Sequence, residues 1–228
     1  MIPFARPWIT QDDRDVVMKV LSGPILAHGP QAAELEREFS EFIGGGYCVA
    51  VSSCAAALHL AYTVYGIGPG DEVIVPAMTH CSTANTVEWT GADCVFVDCD
   101  PATGNVTADR IRDAITERTK AIVVVHFVGI PCDMPRISLL AREHGLVLIE
   151  DCALALGARV DGTHVGLLGD AGCFSFYPTK HITTGEGGMF VTRDPDVAER
   201  VRQMRAHGVV RGTNGSYDLP EIGLNYRM

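Results

Sequence analysis

Residues 172–191, GCFSFYPTKHITTGEGGMFV, hold two apolar runs with the length and flanking turn residues of strands, GCFSFY (172–177) and GMFVT (188–192). Only a short polar connection separates them, with no helix. Upstream, every strand-like run is followed by a helical stretch. Strands are expected at CVAVS (48–52), EVIVP (72–76), CVFVD (94–98), AIVVVH (121–126) and LVLIED (146–151), with helices over about 54–65, 79–89, 107–115 and 134–144. That alternation is the pattern of an α/β protein with a mostly parallel sheet flanked by helices. The helix-free connection at 178–187 makes the sheet mixed. Two amphipathic helices, 12–21 and 31–43, form an N-terminal helical segment of about 1–45. A last helix is expected over 196–207, and GVVRGTNGSYD (208–218) reads as a mobile loop.

At 228 residues and 47% hydrophobic content the chain suffices for one sizeable core. A net charge of −10, from 18 basic and 28 acidic residues, argues against nucleic acid as a partner, which demands a cationic surface. No run is long and apolar enough for a membrane span, and the opening MIPFARPWITQDD lacks the cationic and apolar regions of a secretory leader. A soluble, cytoplasmic protein without a membrane partner is the expectation. Eight cysteines contain no CxxC pair, and the histidines form no HxxxH pair. Reduced, buried thiols and no metal site follow.

Three places carry chemistry. In SSCAAALHLA (52–61) a strand ends at Ser52–Ser53 and a helix begins on small residues, so free N–H groups and the Ser53 hydroxyl are available to a phosphate. A plain capped helix start is the other reading. A dinucleotide site would need GxGxxG after the first strand, whereas Gly44, Gly45 and Gly46 precede it and end a helix. Asp151 closes LVLIED at the carboxyl end of a strand, where open sheets bind ligands, and a buried carboxylate there calls for a cation such as a protonated pyridine nitrogen. Ala153 leaves room for an aromatic ring; a loop-capping Asp151 is the alternative. Lys180, set between two apolar strands, has the surroundings that free an amine for Schiff-base chemistry, although a solvated loop lysine would read the same way.

The chain also resembles the DegT/DnrJ/EryC1/StrS family of pyridoxal-phosphate (PLP) dependent sugar aminotransferases, over essentially all 228 residues. The resemblance rests on GIGPGDEVIVPAMTH (66–80), DCDPATGNV (98–106), KAIVVVHFVGIPCDM (120–134), LVLIEDCALALGA (146–158), DAGCFSFYPTKHITTGEGGMFVT (170–192), RAHG (205–208) and GLNYRM (223–228), in the family's order. It implies the large domain of a fold-type-I PLP-transferase over 1–228, with the family's small C-terminal domain absent. Carried over, Lys180 would hold PLP covalently and Asp151 would pair with its ring nitrogen. His80 would stack on the ring, Ser53, Ser175 and the backbone at Ala55 and Ala56 would bind the phosphate, and Ala153 would lie against the ring. Asn225 would reach the phosphate of a neighbouring subunit, because the family's active sites are shared across a homodimer. Dehydratase relatives carry histidine in place of the lysine, so Lys180 points to amino transfer, from glutamate to a nucleotide-linked keto-deoxysugar. Ala55 stands where the family commonly has threonine, and Leu154 where it has glutamine or histidine. These departures keep a second reading open, a catalytically silent PLP-binding or partner subunit.

Overall fold

The apolar runs become the seven strands of one mixed sheet: β1 (Tyr47–Val51), β2 (Glu72–Pro76), β3 (Asp93–Val97), β4 (Thr119–Val125), β5 (Val147–Asp151), β8 (Ala171–Ser175) and β9 (Gly188–Thr192), in the spatial order β1-β9-β8-β5-β4-β2-β3. They are drawn from a computed structural model that describes every residue except Met1, Phe4, His28 and 212–215, with the backbone alone for Arg211. Strand β9 runs antiparallel to both its neighbours, while the other pairings are parallel, so six strands point one way. Their carboxyl ends, and the amino end of β9, therefore share one edge of the sheet.

Seven helices surround the sheet: α1 (Gln11–Leu21), α2 (Pro30–Ile43), α3 (Cys54–Val64), α4 (Cys81–Glu88), α5 (Ala108–Ala114), α6 (Met134–His144) and α7 (Pro195–Met204). Helix α3 is buried almost all round and packs with α7 against β1, β5, β8 and β9, which explains why its sequence shows no polar face. On the opposite face, α5 and α6 bury Ile111, Ile137 and Leu140 beside Ile122 and Leu148. The third cluster docks α2. Phe39 meets Phe174 edge-on at 5.0 Å and Phe176 at 5.7 Å, with Ile43 buried beside them. Phe39→Ala should lower stability by about 3–5 kcal/mol, read as a fall in the urea midpoint, because it vacates this contact. Helix α2 ends at Gly44, whose φ of 95° is the left-handed cap that residues with a Cβ avoid.

Several expectations shift. The helix placed over 79–89 begins at Cys81, because the His80 side chain accepts the Ser82 N–H and caps it. The last helix stops at Met204 rather than 207, since Leu224 and Tyr226 take over hydrogen bonding at Met204 and Arg205. Two short antiparallel pairs had no signal: β6 (Arg159–Val160) with β7 (Thr163–His164), and β10 (Val210–Arg211) with β11 (Tyr217–Asp218). The second pair replaces both ends of the expected loop 208–218; its centre, 212–215, lies outside the described residues. Helix α1 forms as expected, closed by a Thr10–Asp13 capping box, but buries none of its residues. Its exposed Val16 lies along a groove of about 750 Å³ with Ile25, Leu26, Leu35 and Met228. All eight cysteines are free; six are buried, Cys94 is half-buried and Cys81 is exposed. Among the described residues, no helix is long and apolar enough to cross a membrane.

Candidate active site

The shared edge gathers the segments that follow β1, β2, β5 and β8. Asp151, the last residue of β5, is only 5% exposed. Its Oδ2 accepts the Thr83 hydroxyl at 2.8 Å, and its Oδ1 accepts the Ala153 N–H at 3.0 Å and lies 3.9 Å from the Cys54 Sγ. Among the described residues no cation forms an ion pair with it. The titratable groups around it are held neutral: burial pushes the Cys54, Cys152 and Cys173 thiols and the Tyr62 phenol well above their ordinary values. A buried carboxylate set among donors and neutral groups favours a positively charged partner.

Lys180 follows β8 at the same edge of the sheet. It lies in a turn closed by its own N–H to the Tyr177 carbonyl at 2.9 Å, and its side chain is half-buried. Burial and the Asp151 charge raise the Cys54 thiol, and Lys180 acts on the same thiol in the opposite sense, which puts both charges in the field of one buried group.

Ser53 caps α3, and its hydroxyl accepts the Ala56 N–H at 3.0 Å. That N–H thus has a partner of its own, which leaves Cys54 and Ala55, earlier in the first turn, as the positions that can offer a donor to an anion. Strand β9 closes against this turn. A Cβ on Gly188 would come within 2.5 Å of the Ser53 carbonyl carbon and 2.7 Å of the Cys54 nitrogen, so glycine is what allows the approach. Gly188 pairs with Ser175, and the Ser175 hydroxyl accepts the Tyr177 N–H at 3.3 Å. Ser175 and Ser53 consequently flank one glycine.

Ala153 is half-buried beside Asp151, while His80 is exposed at the start of α4 and Leu154 is exposed after β5. Asn225 is exposed in the C-terminal tail, bridged to Ala206, and within the described chain it is not brought to Asp151 or Lys180 by any hydrogen bond. The tail does reach the edge, since the Tyr226 carbonyl accepts the Ser52 N–H at 2.9 Å. Sequence reasoning missed Thr83, Thr79 and Cys54. The spacing of the two threonines, four residues apart at a helix start, was a usable signal for a shared face.

His126, Glu150 and Cys152 form a buried group of metal-binding type beside the end of β5. Its polar atoms are committed elsewhere. Glu150 accepts His126 Nε2 and the N–H groups of Gly166, Leu168 and Gly169, and His126 Nδ1 accepts the Cys132 N–H. The group pins the loop ahead of β8 to β5.

The residue set fits a phosphorylated pyridine aldehyde: a buried carboxylate at the end of β5, an amine that follows β8 at the same edge, and a helix start flanked by serines. Residues 7–228 match the sequence profile of the DegT/DnrJ/EryC1/StrS aminotransferase family. The chain is 42% identical to the spore coat polysaccharide biosynthesis protein SpsC of Bacillus subtilis, covering 100% of this chain and 60% of that protein. It is 44% identical to GDP-perosamine synthase of Caulobacter vibrioides, over 100% of this chain and 61% of the relative. A putative sugar aminotransferase from Streptococcus pneumoniae, solved in its PLP form, superposes with a TM-score of 0.93 at 31% identity, covering 100% of this chain and 63% of the other. The chain thus spans about three fifths of the length of these relatives. With a matching profile over nearly its whole length and the large-domain fold of a fold-type-I PLP-transferase, the chain belongs to the DegT/DnrJ/EryC1/StrS aminotransferase family.

Proposed function

We propose that the chain is the cofactor-binding large domain of a PLP-dependent sugar aminotransferase, which moves an amino group from glutamate to a nucleotide-linked keto-deoxysugar and works as a homodimer with shared active sites. The observation that carries this reading is the buried Asp151 carboxylate, surrounded by donors and neutral thiols and, among the described residues, in no ion pair. PLP, when bound, supplies an electron sink for charge that develops on the donor's α-carbon. Asp151 keeps the ring nitrogen protonated. The Lys180 amine would hold the cofactor covalently and, when free, would serve as the base that moves the substrate's proton. The open end of α3, with Ser53, Ala55 and Ser175, holds the phosphate. His80 would stack on the ring, and Asn225 would reach the phosphate of the neighbouring subunit. The name GDP-perosamine synthase, with its nucleotide prefix, supports a nucleotide-sugar substrate.

The test is a visible spectrum of the chain with PLP, borohydride reduction with peptide mapping, and conversion of the cofactor to its amine form by glutamate. A reducible band that glutamate bleaches, and that a GDP- or dTDP-linked keto-sugar restores, is the expected result. A band that glutamate leaves untouched favours the silent PLP-binding subunit instead, and no band at all overturns both readings.

A further inference from the structure

We propose that Thr83, backed by Thr79, is a positioning residue that orients the Asp151 carboxylate toward its ligand; the proposal rests on reading the site as a PLP site. Thr83 is fully buried in the first turn of α4, far in sequence from β5, yet its hydroxyl donates to Asp151 Oδ2 at 2.8 Å. The Thr79 and Thr83 hydroxyl oxygens are also 2.8 Å apart. Because Thr83 has one proton and gives it to the carboxylate, its oxygen accepts from Thr79, and the chain runs one way, from Thr79 through Thr83 to Asp151. The Thr79 pair lies on the turn between β2 and α4, so this chain ties that corner to the end of β5 across the intervening β4.

The electrostatic consequence follows from what surrounds the carboxylate. Cys54 and Tyr62 on α3, Cys173 on β8 and Cys152 after β5 are neutral, Glu150 faces the other side of β5 in its pair with His126, and Lys180 acts as a cation on Cys54. Hydrogen bonds donated to a carboxylate favour its charged form. With a pyridine nitrogen opposite Asp151, one proton is shared between the two, and Thr83 biases it toward nitrogen. Without the hydroxyl, the proton shifts toward Asp151 and the ring loses positive charge.

The experiment is a spectrophotometric pH titration of bound PLP, with dissociation constants, in the unaltered chain and in Thr83→Val, Thr83→Ser and Thr79→Val. A positively charged ring favours loss of the proton from the covalent imine at Lys180, so Thr83→Val should move the titration midpoint to higher pH. It should also weaken PLP binding about tenfold or more, the scale of a hydrogen bond to a charged group. Thr83→Ser should restore both, and Thr79→Val should move the midpoint in the same direction by less. A side chain that merely filled space would change affinity without moving the midpoint, so an unmoved midpoint in Thr83→Val overturns the proposal. If that variant does not fold, an unmoved midpoint in Thr79→Val does so. Absence of a reducible band in the unaltered chain would sink the PLP reading itself, and this inference with it.

Discussion

Lys180→Ala is expected to end covalent capture of PLP: borohydride treatment should leave the variant without bound cofactor, while the unaltered chain carries it on the peptide containing Lys180. Only three lysines occur in the chain, Lys19, Lys120 and Lys180, which makes the assignment sharp. Lys19 is on α1, outside the sheet, and Lys120 is the second residue of β4, at the amino end of the strands. Lys180 alone follows a strand at the edge where Asp151 ends β5. Amino transfer should fall by roughly 10²–10⁴-fold from the lost proton transfer alone. Lys180→Arg should do no better, because a guanidinium keeps the charge but forms no imine. Cofactor fixed to Lys19 or Lys120, or an undiminished adduct in Lys180→Ala, would disprove the assignment.

Asp151→Ala should have the second large effect. Removing one member of a buried ion pair costs about 3–5 kcal/mol, because the other charge is left unpaired, so PLP affinity should drop by roughly a hundredfold to a thousandfold or more. The variant also strands the Thr83 hydroxyl and the Ala153 N–H in a dry site, and some of the loss will be general destabilisation. Asp151→Asn separates the two effects. Its amide oxygen still accepts from Thr83, while its NH2 group takes the place of the oxygen that accepts the Ala153 N–H, and the side chain carries no charge to hold a proton on the ring nitrogen. A stability loss smaller than that of Asp151→Ala, with conversion of the cofactor by glutamate still severely reduced, is the expected outcome. Full conversion in Asp151→Asn would mean that the carboxylate serves only to organise the turn after β5.

Sequence by itself determined the alternation of strands and helices, because each run pairs a distinct apolar period with turn residues at its ends, as in EVIVP before Met78 and LVLIED after Gly145. It also singled out Asp151 and Lys180. A charged side chain closing or interrupting an apolar run is visible without knowing what packs on it, and the resemblance of the surrounding motifs gave each residue a role. Boundaries such as the start of α4 were less legible, since the His80 cap depends on a side-chain rotamer rather than on residue type. The β6–β7 and β10–β11 pairs were hidden because two-residue strands have no measurable period. The partners of Asp151 were decided only by the tertiary structure. Thr83, Cys54 and Asp151 come from three separate segments, and what unites them is the parallel direction of β1, β2 and β5, which delivers the ends of distant strands to one edge. Whether the carboxylate had a cation of its own was likewise a question of packing. Burial, and the absence of an ion pair among the described residues, are properties of the assembled sheet, not of any short stretch of chain.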